Sequence, residues 1–341
     1  MDKVAVGAGS QGCIGLNGNI PFACTMPDYC RHLILVNHPM GQDARDFEEI
    51  AARMAVIAPE IRVTIVGTAS CEDELPEALW QHPVLTVSMM ATRRFRPKRG
   101  TFYQGFPVPK FIQMERFEAA GLNIPMTARY ALGRQLDPAR WGEHVVLKTA
   151  APGATSKGDA VFVLPTRRVA ALAPVLFPPG HKGRAALLVQ RFIDTGEQPE
   201  SLRVLTLFGE PLLAMLYRAH ERRPPLDAPE DVLLRGPFAS NTDPHFSCML
   251  VEHEDKVLAF ARRAARALPR IPLLGLDIVR EAGSGRLYVL EGNPGGNTWH
   301  FSSKLAEEGR QEVSREQRIE QMDAWGIAAR VLVERTRAEA S

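Results

Sequence analysis

Asp277, Glu291 and Asn293 are the side chains of this 341-residue chain whose types and spacing point most directly to chemistry. They interrupt an otherwise apolar stretch, LLGLDIVREAGSGRLYVLEGNPGGN (273–297). Two hydrophobic runs flank a Gly-Ser-Gly turn there, the pattern of a β-hairpin. With a loop centred on Ser284, Asp277 falls opposite Glu291. Glu291 and Asn293 are two apart on one strand and share that face. Arg280 and Arg286 fall on the opposite face by the same parity and cannot neutralise the acids. Like charges opposed across a hairpin repel, so a cation is expected between them. Hard oxygen ligands suit Mg²⁺, which takes one or two carboxylates plus phosphate oxygens and water. The competing reading is a solvated acidic face.

The rest of the chain must supply the frame for this hairpin. An apolar run at Leu33–Val36, a helical pattern from Ala44 to Ala58, and further runs at Val63–Val66 and Val84–Val87 predict a small α/β unit with parallel strands. A helix over Lys110–Ala120 is closed by Gly121 and followed by Pro125, a C-cap and stop signal. Strands follow at His144–Lys148, Val161–Leu164 and Ala186–Ile193, with a helix over Arg167–Phe177 between the last two. Leu202–Phe208 and Pro211–Arg218 are separated only by Gly209-Glu210, which reads as a type II′ hairpin. Pairing across that loop puts Arg203 and Arg218 on one face of a mostly buried sheet, where guanidinium groups need anionic partners. A helix over Glu254–Leu268 precedes the acidic hairpin, and a polar amphipathic helix is expected near Gln311–Ala338.

Phosphate chemistry is indicated twice. Lys148 ends a strand of mostly apolar residues. The loop after it carries Gly153, Ser156, Lys157 and Gly158, and its backbone N–H groups could close over phosphates. It is not a GxxxxGK[ST] loop. Val4–Cys13 (VAVGAGSQGC) contains G-x-G-x-x-G, but IGLNGNIPF follows it and starts a helix poorly, so it reads as a glycine-rich turn and not a dinucleotide site.

Taken in order, these elements resemble the ATP-grasp family over roughly Lys110 to Ser303, with the typical short α/β domain before it. Lys110 with its helix and GLNIP resembles the family's opening segment. VVLKTA resembles the strand with a second nucleotide lysine, Lys148, and ATSKGDAVFV the glycine-rich loop. LLVQRFID resembles the adenine hinge, and SLRVLTLFGEPLLAMLYR the hairpin whose basic residues contact phosphates. GLDIVRE…LYVLEGNPGGN matches the magnesium site at Asp277, Glu291 and Asn293. The branch it is most similar to is that of carboxylate–amine ligases of RimK and glutathione-synthetase type. It departs at Ser201, where those ligases have Asp, and at Ala239–Pro244, which keeps Asn241 but lacks their Arg and glycine pair.

The resemblance implies an α/β plus α+β chain with an ATP-grasp fold. Residues 1–105 would form a Rossmann-like N-terminal domain, 106–190 the lid subdomain, and 191–341 the C-terminal subdomain with the metal site. It implies ATP with Mg²⁺, or Mn²⁺ in its place, as cofactors. Lys110, Lys148, Ser156, Lys157 and Gly158 would contact phosphates, and Gln190, Arg191, Phe192 and Ile193 would form the adenine hinge. Arg218, Arg203 and Asn241 would stabilise the reacting groups. The implied activity joins a small-molecule or peptide carboxylate to an amine through an acyl phosphate, releasing ADP and phosphate. A kinase, a thioester-forming ligase and a non-catalytic nucleotide-binding regulator stay open. Homodimers are common in the family. In the loop 295–303, Trp299 and His300 either line the acceptor pocket, with His300 a candidate base, or Trp299 is a packed anchor.

Composition narrows the class. A 45% hydrophobic, 23% charged chain with a net charge of +2 is an ordinary globular sequence. It gives no reason to invoke nucleic acid, and the basic run Arg93–Arg99 reads as a solvated linker. No apolar run approaches the ~20 residues that span a bilayer, and the N-terminus does not read as a secretory signal. Five cysteines without a CxxC pair argue against a disulfide framework or structural zinc and fit a reducing cytoplasm.

Overall fold

The computed structural model describes residues 31–39, 41–92, 94–149, 161–234, 246–251, 254–295, 298–303 and 312–341. The chain is a mixed α/β protein in which the described residues form three sheets. The glycine motif at 4–13, Gly153, Ser156, Lys157, Gly158 and Asn241 lie outside the described residues.

The first sheet has the order β2-β1-β3-β4, all parallel. Its strands are β1 (Arg31–Asn37), β2 (Ile61–Gly67), β3 (Val84–Ser88) and β4 (Thr101–Gln104). The first three match the apolar runs. β4 (TFYQ) is half-exposed along its length and gives no alternation to read. Helix α1 (Ala44–Ile57), capped by the Asp43 carboxylate, crosses from β1 to β2. Because β2 and β3 flank β1 on opposite sides, the sheet reverses its winding between β1 and β3. The carboxyl ends of those two strands are where open α/β sheets hold ligands.

The second sheet, order β5-β8-β6-β7, is antiparallel. It contains β5 (Thr127–Tyr130), β6 (His144–Thr149), β7 (Val161–Pro165) and β8 (Leu187–Arg191). A one-turn helix α3 (Pro138–Trp141) precedes β6, and α4 (Val169–Leu176) follows β7. The third sheet, order β11-β10-β9-β12-β13, is also antiparallel. It is formed by β9 (Glu200–Leu207), β10 (Glu210–Ala219), β11 (Phe246–Leu250), β12 (Leu273–Arg280) and β13 (Leu287–Pro294). One of its faces packs on α2 (Lys110–Ala119) and α6 (Asp255–Arg266) through Met114, Phe117, Val257, Ala261 and Leu268. The short α5 (Glu230–Leu233) lies between β10 and β11.

The other face, carrying Leu205, Leu207, Leu213 and Met215, packs against the N-terminal domain. Here the structure differs from the expected division of the chain. The C-terminal segment is not one polar helix but two, α7 (Arg315–Glu320) and α8 (Ala324–Glu339), broken at Asp323, whose φ is +54°. Trp325, Ala328, Leu332 and Val333 of α8 are buried in the core shared with α1 and the first sheet. Likewise α2 joins the third sheet's core, so the lid sheet begins at Thr127.

Candidate active site

The acidic hairpin is β12–β13, and it holds Asp277 opposite Glu291. The route to that pairing is not the single register expected. At the tip Arg280 pairs with Leu287 and Val279 with Tyr288, and a bulge between Asp277 and Ile278 then shifts the register by one. Without it Asp277 would face Leu290, and Glu291 would turn into the apolar face. The bulge also changes the parity of Arg286, which pairs backbone to backbone with Glu281 at the exposed tip and not on the far face. Arg280 does point away, to an ion pair with Glu254.

The cations that the acids require come from outside the hairpin. Lys110 Nζ lies 2.9 Å from Glu291 Oε2. Arg203 Nη1 lies 3.1 Å from Asp277 Oδ1 and donates to the Gly275 carbonyl at 3.1 Å. Asn293 Nδ2 donates to Asp277 Oδ2 at 2.8 Å and to Glu291 Oε1 at 3.2 Å. Burial pushes the Asp277 carboxyl up, Arg203 opposes that, and the Glu291 charge adds to it. Burial would raise Glu291 too, but Lys110 and Lys148 outweigh it and hold Glu291 below its ordinary value. Two half-buried carboxylates and an amide in one cluster present the hard-oxygen donor set of Mg²⁺ once the Asn293 amide turns its oxygen inward. Among the described residues no three His, Cys, Asp or Glu group as a metal site; the third donor is an amide, which leaves room for phosphate oxygens and water.

Lys110 is placed by α2, whose Met114 and Phe117 pack on the third sheet. Gln113 in the same helix accepts the Gly292 N–H at 2.7 Å and donates to the Val108 carbonyl at 2.9 Å, pinning α2 to the metal-side strand. Lys148 approaches from the lid sheet. It is 8% exposed, and burial together with Lys110 pushes its ammonium down to about 8, against the pull of Glu291 and Asp277. Charges on two different sheets therefore converge on one locus. Lys148 Nζ donates to Gln190 Oε1 at 3.2 Å, and Gln190 Nε2 to Thr127 Oγ1 at 2.9 Å. The Gln190 side chain thus serves Lys148, and its backbone lies inside the sheet, paired with Thr127 and Val146. The N–H groups of Arg191 and Phe192 are donated to Met126 and His144. Of the expected hinge, Ile193 alone has an N–H without a hydrogen bond among the described residues.

Arg218 requires a correction. The β9–β10 turn is Phe208-Gly209, with φ +49° and +93°, the double positive φ of a type I′ turn. Strand β10 then starts at Glu210, and a bulge at Pro211/Leu213 pairs Arg203 with Met215 and Arg218 with Glu200. Arg203 thereby shares a face with Asp277. Arg218 lies on the other face, ion-paired with Glu200 at 2.5 Å.

The loop after β13 resolves the two readings of Trp299. It is fully buried, stacked between Phe47 (5.5 Å) and Trp325 (5.6 Å), and is a packed anchor. His300 is buried beside it and pushed down to about 3 by burial and then by Arg203 and Arg318, so its ring is neutral and too weak to take a proton from an amine. Gln113, Asp46 and Thr298, all buried, and the half-buried Thr127 carry no sequence signal; they act as hydrogen-bond partners that only packing brings into place.

No protein-family model and no curated protein matches the sequence. Among solved structures the chain is similar to the ATP-grasp ligase PsnB in complex with its minimal precursor, with 15% identity over 89% of this chain and 99% of that one and a TM-score of 0.46. It is similar to D-alanine–D-alanine ligase from Bacillus anthracis at 13% identity over 91% and 97%, TM-score 0.45. A RimK domain ATP-grasp protein from Sphaerobacter thermophilus is 15% identical over 88% and 98%, TM-score 0.42. Among the described residues, no helix is long and apolar enough to cross a membrane.

Proposed function

We propose that the chain is an ATP-dependent ligase of ATP-grasp kind that joins a carboxylate to an amine through an acyl phosphate, releasing ADP and phosphate. The observation that carries the reading is the convergence of Lys110, Lys148 and Arg203, from separate elements, on the cluster of Asp277, Glu291 and Asn293. Three cations around a divalent-metal donor set match a nucleotide polyphosphate with its metal.

The chemistry is a two-step displacement. A carboxylate oxygen of the first substrate attacks the γ-phosphorus of ATP, the bond to the β-phosphate oxygen breaks, and ADP leaves. The amine nitrogen of the second substrate then attacks the acyl carbon and phosphate leaves with the carboxylate's oxygen; the amine proton passes to solvent. Lys110 and Lys148 hold the nucleotide phosphates, with Gln190 fixing Lys148. Ile193 offers its N–H to the adenine. Arg203, free of Arg218, faces the transferring group and stabilises charge on it. Mg²⁺, held by Asp277, Glu291 and Asn293 and replaceable by Mn²⁺, would neutralise charge on the β- and γ-phosphates. Ser156, Lys157, Gly158 and Asn241 keep the roles implied by the resemblance. The substrates are small-molecule or peptide carboxylates and amines.

The test is product analysis with Mg·ATP, pooled amino acids and ¹⁸O-labelled small carboxylates. Transfer of ¹⁸O into inorganic phosphate together with ADP supports the acyl phosphate. AMP in place of ADP refutes it, and a stable phosphorylated product would make the protein a kinase.

A further inference from the structure

Asp46 lies in the first turn of α1, in the N-terminal domain, and is fully buried. A buried carboxylate needs donors, and among the described residues the three donors to its side chain come from the far end of the chain. Trp299 Nε1 donates at 2.7 Å, Ser302 Oγ at 2.5 Å, and Arg315 forms an ion pair with it. Ser302 Oγ in turn accepts the Asp43 N–H at 2.8 Å. The N-terminal turn of α1 therefore grips the loop 298–303, which follows the metal hairpin almost directly.

That loop forms one wall of the candidate site. Thr298 Oγ1 donates to the Asn293 carbonyl at 3.0 Å. A methyl group placed on Gly275 would meet Thr298 Cγ2 at 2.7 Å and Arg203 Nη1 at 3.0 Å, so the loop and the guanidinium share the space over β12. His300 is close enough to Arg203 for its charge to act on the ring. Gly295 lies against Met90, just beyond β3, at the carboxyl edge of the first sheet. The metal-side residues are held differently, by the β12–β13 ladder and by α2. A shift of the loop would thus move Thr298, His300 and the space beside Arg203 and leave the nucleotide cluster in place.

We propose that Asp46 is a positioning residue: it fixes the 298–303 loop as the wall of the site that receives the non-nucleotide substrates. This rests on the ligase reading. It makes the N-terminal domain a determinant of substrate binding without Asp46 touching substrate.

Three variants test it. Asp46→Asn keeps the shape but replaces one acceptor oxygen by an NH₂ that faces only donors. Trp299→Phe keeps the ring stack and removes one N–H. Ser302→Ala removes the bridging hydroxyl. Hydrogen exchange of the 298–303 amides is measured first and needs no substrate. ADP release is then followed while Mg·ATP and the pool of amino acids and small carboxylates are varied separately. The expected result is faster exchange in all three variants, and in Asp46→Asn a half-saturating pool concentration raised about tenfold with half-saturation by Mg·ATP unchanged. Unchanged exchange in Trp299→Phe and Ser302→Ala overturns the proposal, even if Asp46→Asn fails to fold. So does a loss in which both half-saturations move together, the mark of a merely structural role. A wild type that binds no Mg·ATP refutes the ligase reading itself, and this inference with it.

Discussion

A single methyl group separates the site's geometry from the stability of its hairpin. Gly275 and Gly292 both lie in β12–β13, and neither has positive φ. A Cβ on Gly275 would lie 2.7 Å from Thr298 Cγ2 and 3.0 Å from Arg203 Nη1. Neither neighbour can yield freely: Thr298 is β-branched, buried and bonded to the Asn293 carbonyl, and Arg203 is held by Asp277 and the Gly275 carbonyl. Overpacking of this kind costs about 1–3 kcal/mol. The displaced guanidinium is a larger matter for turnover, since a shift near 1 Å of a positioned group can cost about 100-fold. The atoms nearest a Cβ on Gly292 would be leucine methyls of Leu268, Leu274 and Leu276, at 3.4–3.5 Å, an ordinary contact. There the lost freedom of the unfolded chain offsets the tightness by up to about 1 kcal/mol. Thermal unfolding and ADP release are measured for Gly275→Ala and Gly292→Ala side by side. Gly275→Ala should lower the melting temperature by a few degrees and turnover by about two orders of magnitude, with Gly292→Ala near wild type in both. Equal behaviour of the two would refute the placement of Arg203 and Thr298 over Gly275.

The register of β9 and β10 makes a second contrast: Arg203→Met should abolish ADP release, and Arg218→Met should leave it within about twofold, as expected for loss of a partly exposed pair. If Arg218→Met were the inactive variant, the faces would be assigned the wrong way round. Stability should also fall in acid for a reason independent of catalysis. Burial pushes His32 down to about 4, aided by Arg62 and His82, and His300 down to about 3. Both rings are neutral when folded, while the unfolded chain takes up their protons near pH 6.5. Their contribution is complete above pH 6.5 and is lost as pH falls towards 4, at up to about 1.4 kcal/mol per pH unit for each ring. Denaturant midpoints at pH 7.5 and 5 should show it, and His32→Gln should flatten the difference; an identical slope in that variant would contradict the assignment.

The acidic hairpin is legible in sequence because charged residues on an apolar background admit few placements, and parity alone puts Glu291 and Asn293 together. Its bulge is not legible, since Leu290 looks like any other strand residue. The β9–β10 turn misleads for a similar reason. Gly209 suggests itself as the first turn residue, yet Phe208 occupies it with positive φ, uncommon for a bulky residue. It is held there by contacts from elsewhere in the chain: an edge-on ring contact with Tyr103 at 5.1 Å, Arg335 over its face at 4.9 Å, and an N–H bond to the Pro272 carbonyl. The turn offset alone keeps the pairing parity; the bulge at Pro211/Leu213 is what moves Arg218 to the other side of the sheet. The last helix reads as polar because its charged residues are numerous; that its small residues and Trp325 pack on α1 depends on a domain contact between residues far apart in the chain.

Lys110, Lys148, Asn293 and the expected Mg²⁺ meet at Glu291. Calorimetric titration of Mg·ATP into wild type and Glu291→Ala, with circular dichroism on both, isolates it. A metal-binding role for Glu291 requires Mg²⁺-dependent ATP binding by the wild type, its loss in a Glu291→Ala protein of unchanged fold, and no ADP release by that variant. Equal, Mg²⁺-dependent binding and turnover by the two proteins would contradict it.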